Sequence, residues 1–517
     1  MKTSTFNFSE THQFSKIFND FASNSPLLAD FQVAPATPAN YLKQIENRNF
    51  GTAERTLLHQ ALCQQYAHLP ASPTEQIDLL LQDNTFTLVT GHQLNIFTGT
   101  LYFHYKIQTV IKAAKTLKET FPQYNFVPLY WQASEDHDFE EISYFYLFGK
   151  KYVWQTDQKG AVGRFNPSSL TQITEQIPEM PDLFKNAYTQ NTTLANATRQ
   201  IVHQLYGKQG LLVIDGDDKS LKTAFKPYMK TELLEQKSIS PIEQQSKKLE
   251  QLHYPVQVHP RPINLFYLKE GLRERIVQEH DRYKVLHTDL EFSQTELLNE
   301  LDQHPERFSP NVCLRPLYQE VILPNLSYTG GPGEFAYWLQ LKTMFEAFKV
   351  PFPLLLPRNF ALVVSRNAQQ KMQKLGVSYS QMFLGIDKLK HSWLEQNISQ
   401  PIDLQEEQEL LKKAFERILQ KAESVDKTLK DFVLANQQKN LQILEQIEAK
   451  IHKAQKHQFD TQLKQLTDLY EKLFPQGGLQ ERHDNFLSFY LNNPNFLEQT
   501  MACFNPFNFQ FYILEEQ

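Results

Sequence analysis

The chain has 517 residues, 41% hydrophobic and 21% charged, a composition that excludes a disordered or fibrous protein and suits a large folded core. Fifty-two Lys and Arg residues against 58 Asp and Glu residues give a formal charge of −6, too small to indicate a general nucleic-acid surface. The three cysteines lie far apart, and no apolar run approaches the ~20 residues that span a bilayer. We therefore expect a soluble, cytoplasmic protein that binds neither nucleic acid nor membrane.

Strands and helices alternate in the chain after a helical stretch over residues 10–80. Apolar and β-branched runs predict strands at residues 85–90, 126–131, 211–215 and 353–357, and a helix over 101–117 connects the first two. This order predicts an α/β fold with a mostly parallel sheet. Ligands of such sheets bind at the carboxyl ends of the strands.

The predicted domains are a core over residues 1–385, with insertions near 150–210 and 225–300, an arm over 386–475, and a C-terminal segment over 476–517. Residues 404–474 contain no Gly or Pro and place Leu411, Phe415, Ile418, Ala422 and Val425 at heptad spacing. We expect an antiparallel coiled coil that turns near residues 436–440. The C-terminal segment is expected to pack on the core or on a partner subunit.

The first candidate site follows the strand at 85–90. Backbone N–H groups at the start of the next helix would favour a phosphate or carboxylate. His92 and Lys106 could donate to the same anion. The alternative is an ordinary glycine-containing connection. The candidate binding residues of this segment are Thr90, Gly91, His92, Gln93, Thr98, Gly99 and Lys106.

The second candidate site follows the strand that ends at Trp131. Carboxylates and an imidazole at a strand end can bind an amine, bind a cation or transfer a proton. The alternative is a solvated run that caps the next helix. The residues are Glu135, Asp136, His137 and Asp138, with Trp131 as a flanking contact.

The third candidate site combines two segments, residues 309–316 and 328–338. Arg315 offers a planar fork for a carboxylate or phosphate. Three glycines around Pro332 would let the backbone approach a ligand, and the alternative is a structural turn with a capping acid. The other candidate binding residues are Asn311, Gly330, Gly331, Gly333, Glu334 and Tyr337.

With these motifs the chain resembles the BshC family, the cysteine-adding enzymes of bacillithiol biosynthesis. The resemblance rests on residues 90–93, 98–102 and Lys106, on Trp131 with 135–138, on 309–316, on 330–338 with Lys342, and on 473–482. The family loop usually reads Thr-Gly-Gln-Gln and then Gly-Pro-Leu-Tyr. Here His92 replaces the first Gln and Thr100 replaces the Pro, so a catalytic role for His92 does not follow from the resemblance.

The resemblance implies a Rossmann-like core with inserted segments and a coiled-coil arm that forms homodimers. It also implies a ligase that adds L-cysteine to glucosaminyl-malate in the last step of bacillithiol biosynthesis. Because a free carboxylate is a poor electrophile, we expect ATP, with Mg²⁺ as a possible companion, to activate it. The route would be an adenylate or an acyl phosphate, which the sequence does not separate.

Within this hypothesis the Gly91 loop and the following helix start bind phosphate, and Arg315 or Lys106 offsets negative charge. Glu135, Asp136 and Asp138 hold the cysteine ammonium or accept the proton of the sugar amine. We assign no metal ligands. The alternatives are a metal-dependent phosphoesterase that uses Asp136, His137 and Asp138, a nucleotidylyltransferase, and a non-catalytic coiled-coil scaffold.

Overall fold

The computed structural model describes residues 1–398 and 403–517, so residues 399–402 of the predicted arm lie outside the described part. The strands are β1 (Lys2–Phe6), β2 (Thr85–His92), β3 (Asn125–Gln132), β4 (Tyr144–Leu147), β5 (Lys150–Val153), β6 (Leu212–Asp215), β7 (Leu265–Lys269), β8 (Leu272–Glu279), β9 (Arg282–Val285), β10 (Glu291–Ser293), β11 (Phe308–Pro310), β12 (Asn325–Gly330), β13 (Leu354–Pro357), β14 (Phe360–Val364) and β15 (Phe511–Glu515).

The helices are α1 (Lys16–Ala22), α2 (Pro38–Glu46), α3 (Thr52–Tyr66), α4 (Thr74–Leu79), α5 (Leu101–Thr120), α6 (Phe139–Ile142), α7 (Thr171–Thr174), α8 (Asp182–Gln190), α9 (Leu194–Tyr206), α10 (Lys219–Glu235), α11 (Ile239–Gln251), α12 (Gln294–Gln303), α13 (Arg315–Ile322), α14 (Pro332–Trp338), α15 (Lys342–Phe348), α16 (Arg366–Leu375), α17 (Tyr379–Met382), α18 (Ile386–Asn397), α19 (Gln405–Val425), α20 (Lys430–His457), α21 (Asp460–Leu473), α22 (Leu487–Tyr490) and α23 (Phe496–Cys503). None of these helices is long and apolar enough to cross a membrane.

The centre of the core is a five-stranded sheet in the order β13-β12-β2-β3-β6, with every pair parallel. This confirms the α/β fold class with a parallel sheet. The β2–α5–β3 crossover is the predicted one, and β6 and β13 are the two other predicted strands. Strand β2 extends past the predicted end because Gly91 pairs with Trp131 and His92 with Gln132. Gly91 and His92 therefore belong to the strand and not to a loop.

Strand β12 lies beside β2 in the middle of this sheet and was not predicted. Its six residues are all buried, yet Asn325, Ser327 and Thr329 are polar, so it lacks the apolar run of its neighbours. Asn325 Nδ2 donates to Glu320 Oε1 at 2.6 Å, which satisfies the buried amide. Buried polar groups are tolerated when they are hydrogen-bonded, and hydropathy does not detect them.

Three further sheets occur among the described residues, and the smallest is the antiparallel pair β4-β5. The predicted insertion near 225–300 contains the end of α10, the helix α11 and four strands, which form an antiparallel sheet with β11 in the order β10-β9-β8-β7-β11. The C-terminal segment ends in β15, which pairs antiparallel with β1 at the other end of the chain. The segment therefore packs on the core of its own chain.

The chain divides into a core unit, residues 1–363 and 479–517, and a helical unit, residues 364–478. The sequence predicts these boundaries at 385 and 475. Residues 364–385 join the helical unit because α16 packs on α21 and the indole N–H of Trp393 donates to the Leu375 carbonyl at 2.7 Å.

The helical unit contains an antiparallel pair, α19 and α20, and its turn is not where the sequence predicts it. Near the start of α19, Gln408 Nε2 donates to Glu448 Oε2 at 3.4 Å, so the chain reverses around Asp426. Asp426 Oδ1 accepts the Thr428 N–H at 2.8 Å in that turn. The predicted turn at residues 436–440 is wrong because this polar run lies inside α20, where Asn436 Nδ2 donates to the helix's own Phe432 carbonyl.

Candidate functional site

A cavity of about 310 Å³ opens at the carboxyl ends of β2, β3 and β12. The parallel register places these three strand ends side by side, so residues distant in sequence converge there. Eight of the eleven lining residues were predicted from the sequence. The lining residues are Gly91, His92, Gln93, Tyr102, Lys106, Trp131, Ala133, Arg315, Tyr328, Glu334 and Tyr337.

Lys106 and Glu334 form a buried ion pair on the wall of this cavity. Lys106 Nζ lies 2.7 Å from Glu334 Oε2 and donates to the Gly91 carbonyl at 2.6 Å. Burial raises the pKa of Glu334, but Lys106, the Tyr328 hydroxyl and the Gly331 N–H outweigh burial, so this pKa lies below its ordinary value. Burial lowers the pKa of Lys106, and Glu334 opposes that change. The pair places one fixed negative and one fixed positive group at the strand edge.

The three glycines of the third candidate site have different surroundings, and Gly330 is the one at which packing requires a glycine. A Cβ atom on Gly330 would lie 3.1 Å from Tyr328 Cε1 and 3.2 Å from Glu334 Cβ, so the missing side chain makes room for both residues. Gly331 donates its N–H to Glu334 Oε2 at 2.9 Å at the start of α14. Gly333 faces open space. None of the three lines the cavity, whereas Glu334 and Tyr337 do.

His92 and Arg315 bring polar atoms without partners to the cavity. Burial, and then the charge of Lys106, hold the pKa of His92 well below its ordinary value, so the imidazole is neutral at neutral pH. Its Nε2 atom and Nη2 of Arg315 are buried without a hydrogen-bond partner in the described part of the chain. Arg315 lies over the rings of Trp131 and Tyr328, at 5.9 and 5.7 Å. An anionic ligand in the cavity would give Nη2 the acceptor that it lacks.

The loop that contains Thr98 and Gly99 does not line the cavity. Thr98 donates to the Phe97 carbonyl and contacts His104 Nε2 at 2.8 Å, and Asn485 Nδ2 donates to the Phe97 carbonyl at 2.8 Å. Gly99 has a φ of +63°, and a Cβ there would lie 2.6 Å from Asn95 Cβ. Both residues therefore fix the backbone path between β2 and α5.

The start of α5 is also not the free phosphate-binding helix end that the sequence predicts. The first amide of the helix, Leu101 N–H, donates to the Asp484 carbonyl at 2.8 Å. The residue that occupies the helix end, Asp484, comes from the distant C-terminal segment, and a local sequence pattern does not show such a contact. Thr90 is likewise removed from the cavity, since its hydroxyl donates to the Thr329 carbonyl at 2.9 Å.

The acidic run after β3 splits into residues with different environments. Glu135 is buried and its Oε1 lies 2.5 Å from Nζ of Lys222, a fully buried lysine on α10. Asp136 Oδ1 accepts the backbone N–H of His137 at 2.8 Å. Asp138 is exposed and precedes α6, which agrees with a solvated run, but its side chain makes no capping hydrogen bond to that helix. The four residues therefore do not converge on one point.

A second cavity of about 550 Å³ adjoins the first and shares Trp131, Ala133 and Arg315 with it. Glu135, Asp136 and Asn311 from the predicted sites line it, and His137 Nδ1 lies 2.7 Å from Nη1 of the lining residue Arg273. The remaining lining residues are Gln132, His259, Arg261, Phe266, Arg273, Arg275, Pro310 and Val312.

The sequence prediction missed three of the four arginines of this cavity, Arg261, Arg273 and Arg275. Arg273 and Arg275 lie two residues apart on β8, the spacing that places side chains on one face of a strand. The Arg-Glu-Arg alternation was a visible signal, but the antiparallel sheet that brings it to the core was not predicted. Within residues 1–398 and 403–517 no group of three or more His, Cys, Asp or Glu side chains is arranged to hold a metal ion.

Two family models cover nearly the whole chain. Residues 1–359 match the model described as "Bacillithiol biosynthesis BshC, N-terminal Rossmann-like domain". Residues 361–516 match "Bacillithiol biosynthesis BshC, C-terminal coiled-coil domain". The break between the two models falls close to the boundary between the core unit and the helical unit at residue 363.

Several relatives are similar along almost their full length. A protein of Cytophaga hutchinsonii is 40% identical over 97% of this chain and 96% of its own. Proteins of Flavobacterium psychrophilum and Flavobacterium johnsoniae are 42% and 41% identical over 95% of both chains. All three bear the name "Putative cysteine ligase BshC". The chain therefore belongs to the BshC family of bacillithiol biosynthesis, with a Rossmann-like core domain and a C-terminal coiled-coil domain.

Proposed function

We propose that this protein is a ligase that joins the carboxyl group of cysteine to the amine of glucosaminyl-malate in an ATP-dependent reaction. The observation that carries the proposal is the pair of adjoining cavities that share Arg315 at the carboxyl edge of the parallel sheet. Two cavities that meet at one cationic side chain suit two substrates whose reactive groups must come together. The name of the relatives supports cysteine as one of them.

Amide formation needs an activated carboxyl group, because the carboxylate of free cysteine is a poor electrophile at neutral pH. ATP, bound with Mg²⁺, supplies this activation. The sugar amine then attacks the carboxyl carbon, the C–N bond forms, the phosphate-bearing group leaves with its bonding electrons, and the amine loses a proton. The residues of the first cavity fit an anionic group, since Nη2 of Arg315 is buried there without a partner in the described residues.

The residues of the first cavity have distinct parts in this proposal. Arg315 stabilises the negative charge that develops on the carboxyl or phosphoryl oxygens. Glu334 fixes Lys106 at the strand edge through their 2.7 Å ion pair. His92 is neutral and offers a hydrogen-bonding atom without adding charge. Asp136 is better suited than Glu135 to accept the amine proton, because Lys222 already holds Glu135.

We also propose that the chain acts as a homodimer through its helical unit. Large apolar side chains remain exposed along both helices of the hairpin, including Ile418 at 48%, Phe432 at 68% and Ile443 at 50%. Exposed apolar side chains along a coiled coil are stabilised when a further helix packs on them. A second copy of the same hairpin offers such a surface.

The test is a reaction of the purified protein with ATP, Mg²⁺, cysteine and glucosaminyl-malate, followed by mass spectrometry. We expect the amide product together with an equal amount of a nucleotide product. AMP would indicate an adenylate and ADP an acyl phosphate. Folded protein that forms no amide from intact substrates would refute the proposal.

A further inference from the structure

The second cavity carries more positive charge than its own acids neutralise. Four arginines line it, Arg261, Arg273, Arg275 and Arg315, against the two acids Glu135 and Asp136. None of the four arginines forms an ion pair with a carboxylate among the residues that the structure describes. A cavity with about two uncompensated positive charges is suited to a ligand with two negative charges.

The two acids are already engaged by groups other than these arginines. Glu135 Oε1 is held by Lys222 Nζ at 2.5 Å, and Lys222 also lies 3.4 Å from Asp217 Oδ1. Asp136 accepts the His137 N–H at 2.8 Å with one oxygen and Gln93 Nε2 at 3.3 Å with the other. Arg273 contacts His137 Nδ1 at 2.7 Å and donates Nε to Ser309 Oγ at 3.3 Å, so the partners that hold this guanidinium supply no carboxylate to balance its charge.

Strand geometry directs two of the arginines to one place. Arg273 and Arg275 point to the same face of β8, while Glu274 between them points to the opposite face and contacts His287 at 3.0 Å. The guanidinium of Arg273 lies 4.0 Å above the ring of Phe266, which fixes its plane. Phe266 is also the residue that pairs with Arg275 across β7 and β8. The antiparallel sheet thus brings Arg273, Arg275 and Phe266 to the lining of one cavity.

We infer that this cavity binds the dicarboxylate half of the amine substrate and that Arg273 and Arg275 determine specificity for it. The inference rests on the proposed function and deepens it. Two carboxylates match two adjacent guanidinium forks, and the sugar amine then reaches the boundary with the first cavity at Arg315. A nucleotide phosphate has the same affinity for arginine, so the experiment must separate the two ligands.

Binding to the full-length protein tests the inference without turnover. Calorimetric titrations of L-malate, glucosaminyl-malate and ATP would compare the wild type with Arg275→Gln. Arg275 forms no ion pair among the described residues, so we expect this substitution to leave the protein folded. Arg282→Gln is the matched control, since Arg282 lies on β9 of the same sheet and pairs with Glu291 at 2.8 Å outside the cavity. We expect Arg275→Gln to lower the affinity for L-malate and for glucosaminyl-malate about 10-fold or more and to leave the affinity for ATP unchanged.

Other results would overturn the inference. Weaker ATP binding with unchanged dicarboxylate binding would assign the cavity to phosphate, and equal binding in all three proteins would remove any role for Arg275. Kinetic measurements show whether the dicarboxylate inference fails or the proposed function fails. Amide formation with an unchanged KM for glucosaminyl-malate in Arg275→Gln refutes the inference alone. Dicarboxylate binding that depends on Arg275 in a protein that forms no amide refutes the proposed function alone.

As a further check, methyl glucosaminide offers the same amine without the dicarboxylate. We expect Arg275→Gln to leave kcat/KM for this probe unchanged while it lowers kcat/KM for glucosaminyl-malate. Equal losses with both amines would show a general structural effect and would contradict a specificity role.

Discussion

The ion pair between Arg358 and Glu481 joins the parallel sheet to the C-terminal segment inside the core unit. Its atoms Nη2 and Oε1 are 2.5 Å apart, and the two side chains are 1% and 0% exposed. Glu481 also accepts the Ala361 N–H with Oε2 at 3.0 Å, and the Arg358 N–H donates to the Gly330 carbonyl at 2.9 Å. The pair therefore lies between the end of β12 and the C-terminal segment that covers the start of α5.

We predict that Glu481→Gln destabilises the core unit by about 3–5 kcal/mol, the cost of leaving a buried charge without its partner. Glutamine keeps the shape of the side chain and an acceptor for Ala361, so the change removes mainly the charge. Arg358 Nη1 would still donate to the Asn359 carbonyl at 2.9 Å. Its Nε atom has no hydrogen-bond partner among the described residues, so no carboxylate would balance the guanidinium charge. The control is Glu291→Gln, which removes an exposed pair and should cost less than about 1 kcal/mol.

Urea unfolding followed by tryptophan fluorescence measures this difference by linear extrapolation. In a Trp393→Phe background the remaining tryptophans, Trp131, Trp154 and Trp338, all lie in the core unit and report on it alone. If Glu481→Gln does not fold, the double change Arg358→Met with Glu481→Leu removes both charges and should be more stable than the single change. A cost for Glu481→Gln equal to that of Glu291→Gln would refute the reasoning.

Three other predictions follow from individual residues. Gly99→Ala should destabilise the protein by about 1–2 kcal/mol or more in thermal unfolding, because φ is +63° and the new Cβ would clash, whereas Gly333→Ala in α14 should be neutral or slightly stabilising. Burial, and then Asp217, raise the pKa of Asp215 to about 6, so this acid costs the folded state stability at pH 7. The free energy of unfolding of the wild type, relative to that of Asp215→Asn, should therefore rise by at most about 3 kcal/mol as the pH falls from 7 towards 4. Urea unfolding at both pH values measures this difference, and a difference that does not change with pH would contradict the prediction. Ile443→Glu should convert the dimer to a folded monomer in light scattering, whereas Glu445→Lys, an exposed position on the other side of α20, should not, and two unchanged dimers would contradict dimerisation through the face of Ile443.

Most of the parallel sheet could be predicted from the sequence because its strands are short apolar runs followed by polar residues. Strands β2, β3, β6 and β13 have this form, and the carboxyl-end rule then located Gly91 and Trp131 at one edge of the sheet. Strand β12 could not be found in this way because its buried residues are partly polar. Its side chains are satisfied by contacts that only the folded chain provides, such as that of Asn325 with Glu320.

The candidate site was predicted in part for a related reason. Local patterns identify residues at strand ends, but they do not identify what distant segments bring to them. Lys222 neutralises Glu135 from α10, and Asp484 occupies the start of α5 from the C-terminal segment. The arginines of β8 reach the site through an antiparallel sheet that the sequence indicated only as an insertion. Heptad spacing likewise indicated the helical hairpin, while its turn depends on a single cap at Asp426.

The most direct test of the account is amide formation by the wild type, Arg315→Gln and Arg282→Gln under the same conditions, with circular dichroism as the check on folding. We predict cysteinyl-glucosaminyl-malate from the wild type and from Arg282→Gln, and a rate at least about 100-fold lower from folded Arg315→Gln, because Arg315 is the charged group common to both cavities. An unchanged rate in Arg315→Gln would contradict the role of Arg315, and no amide from folded wild-type protein would contradict the proposed ligase function.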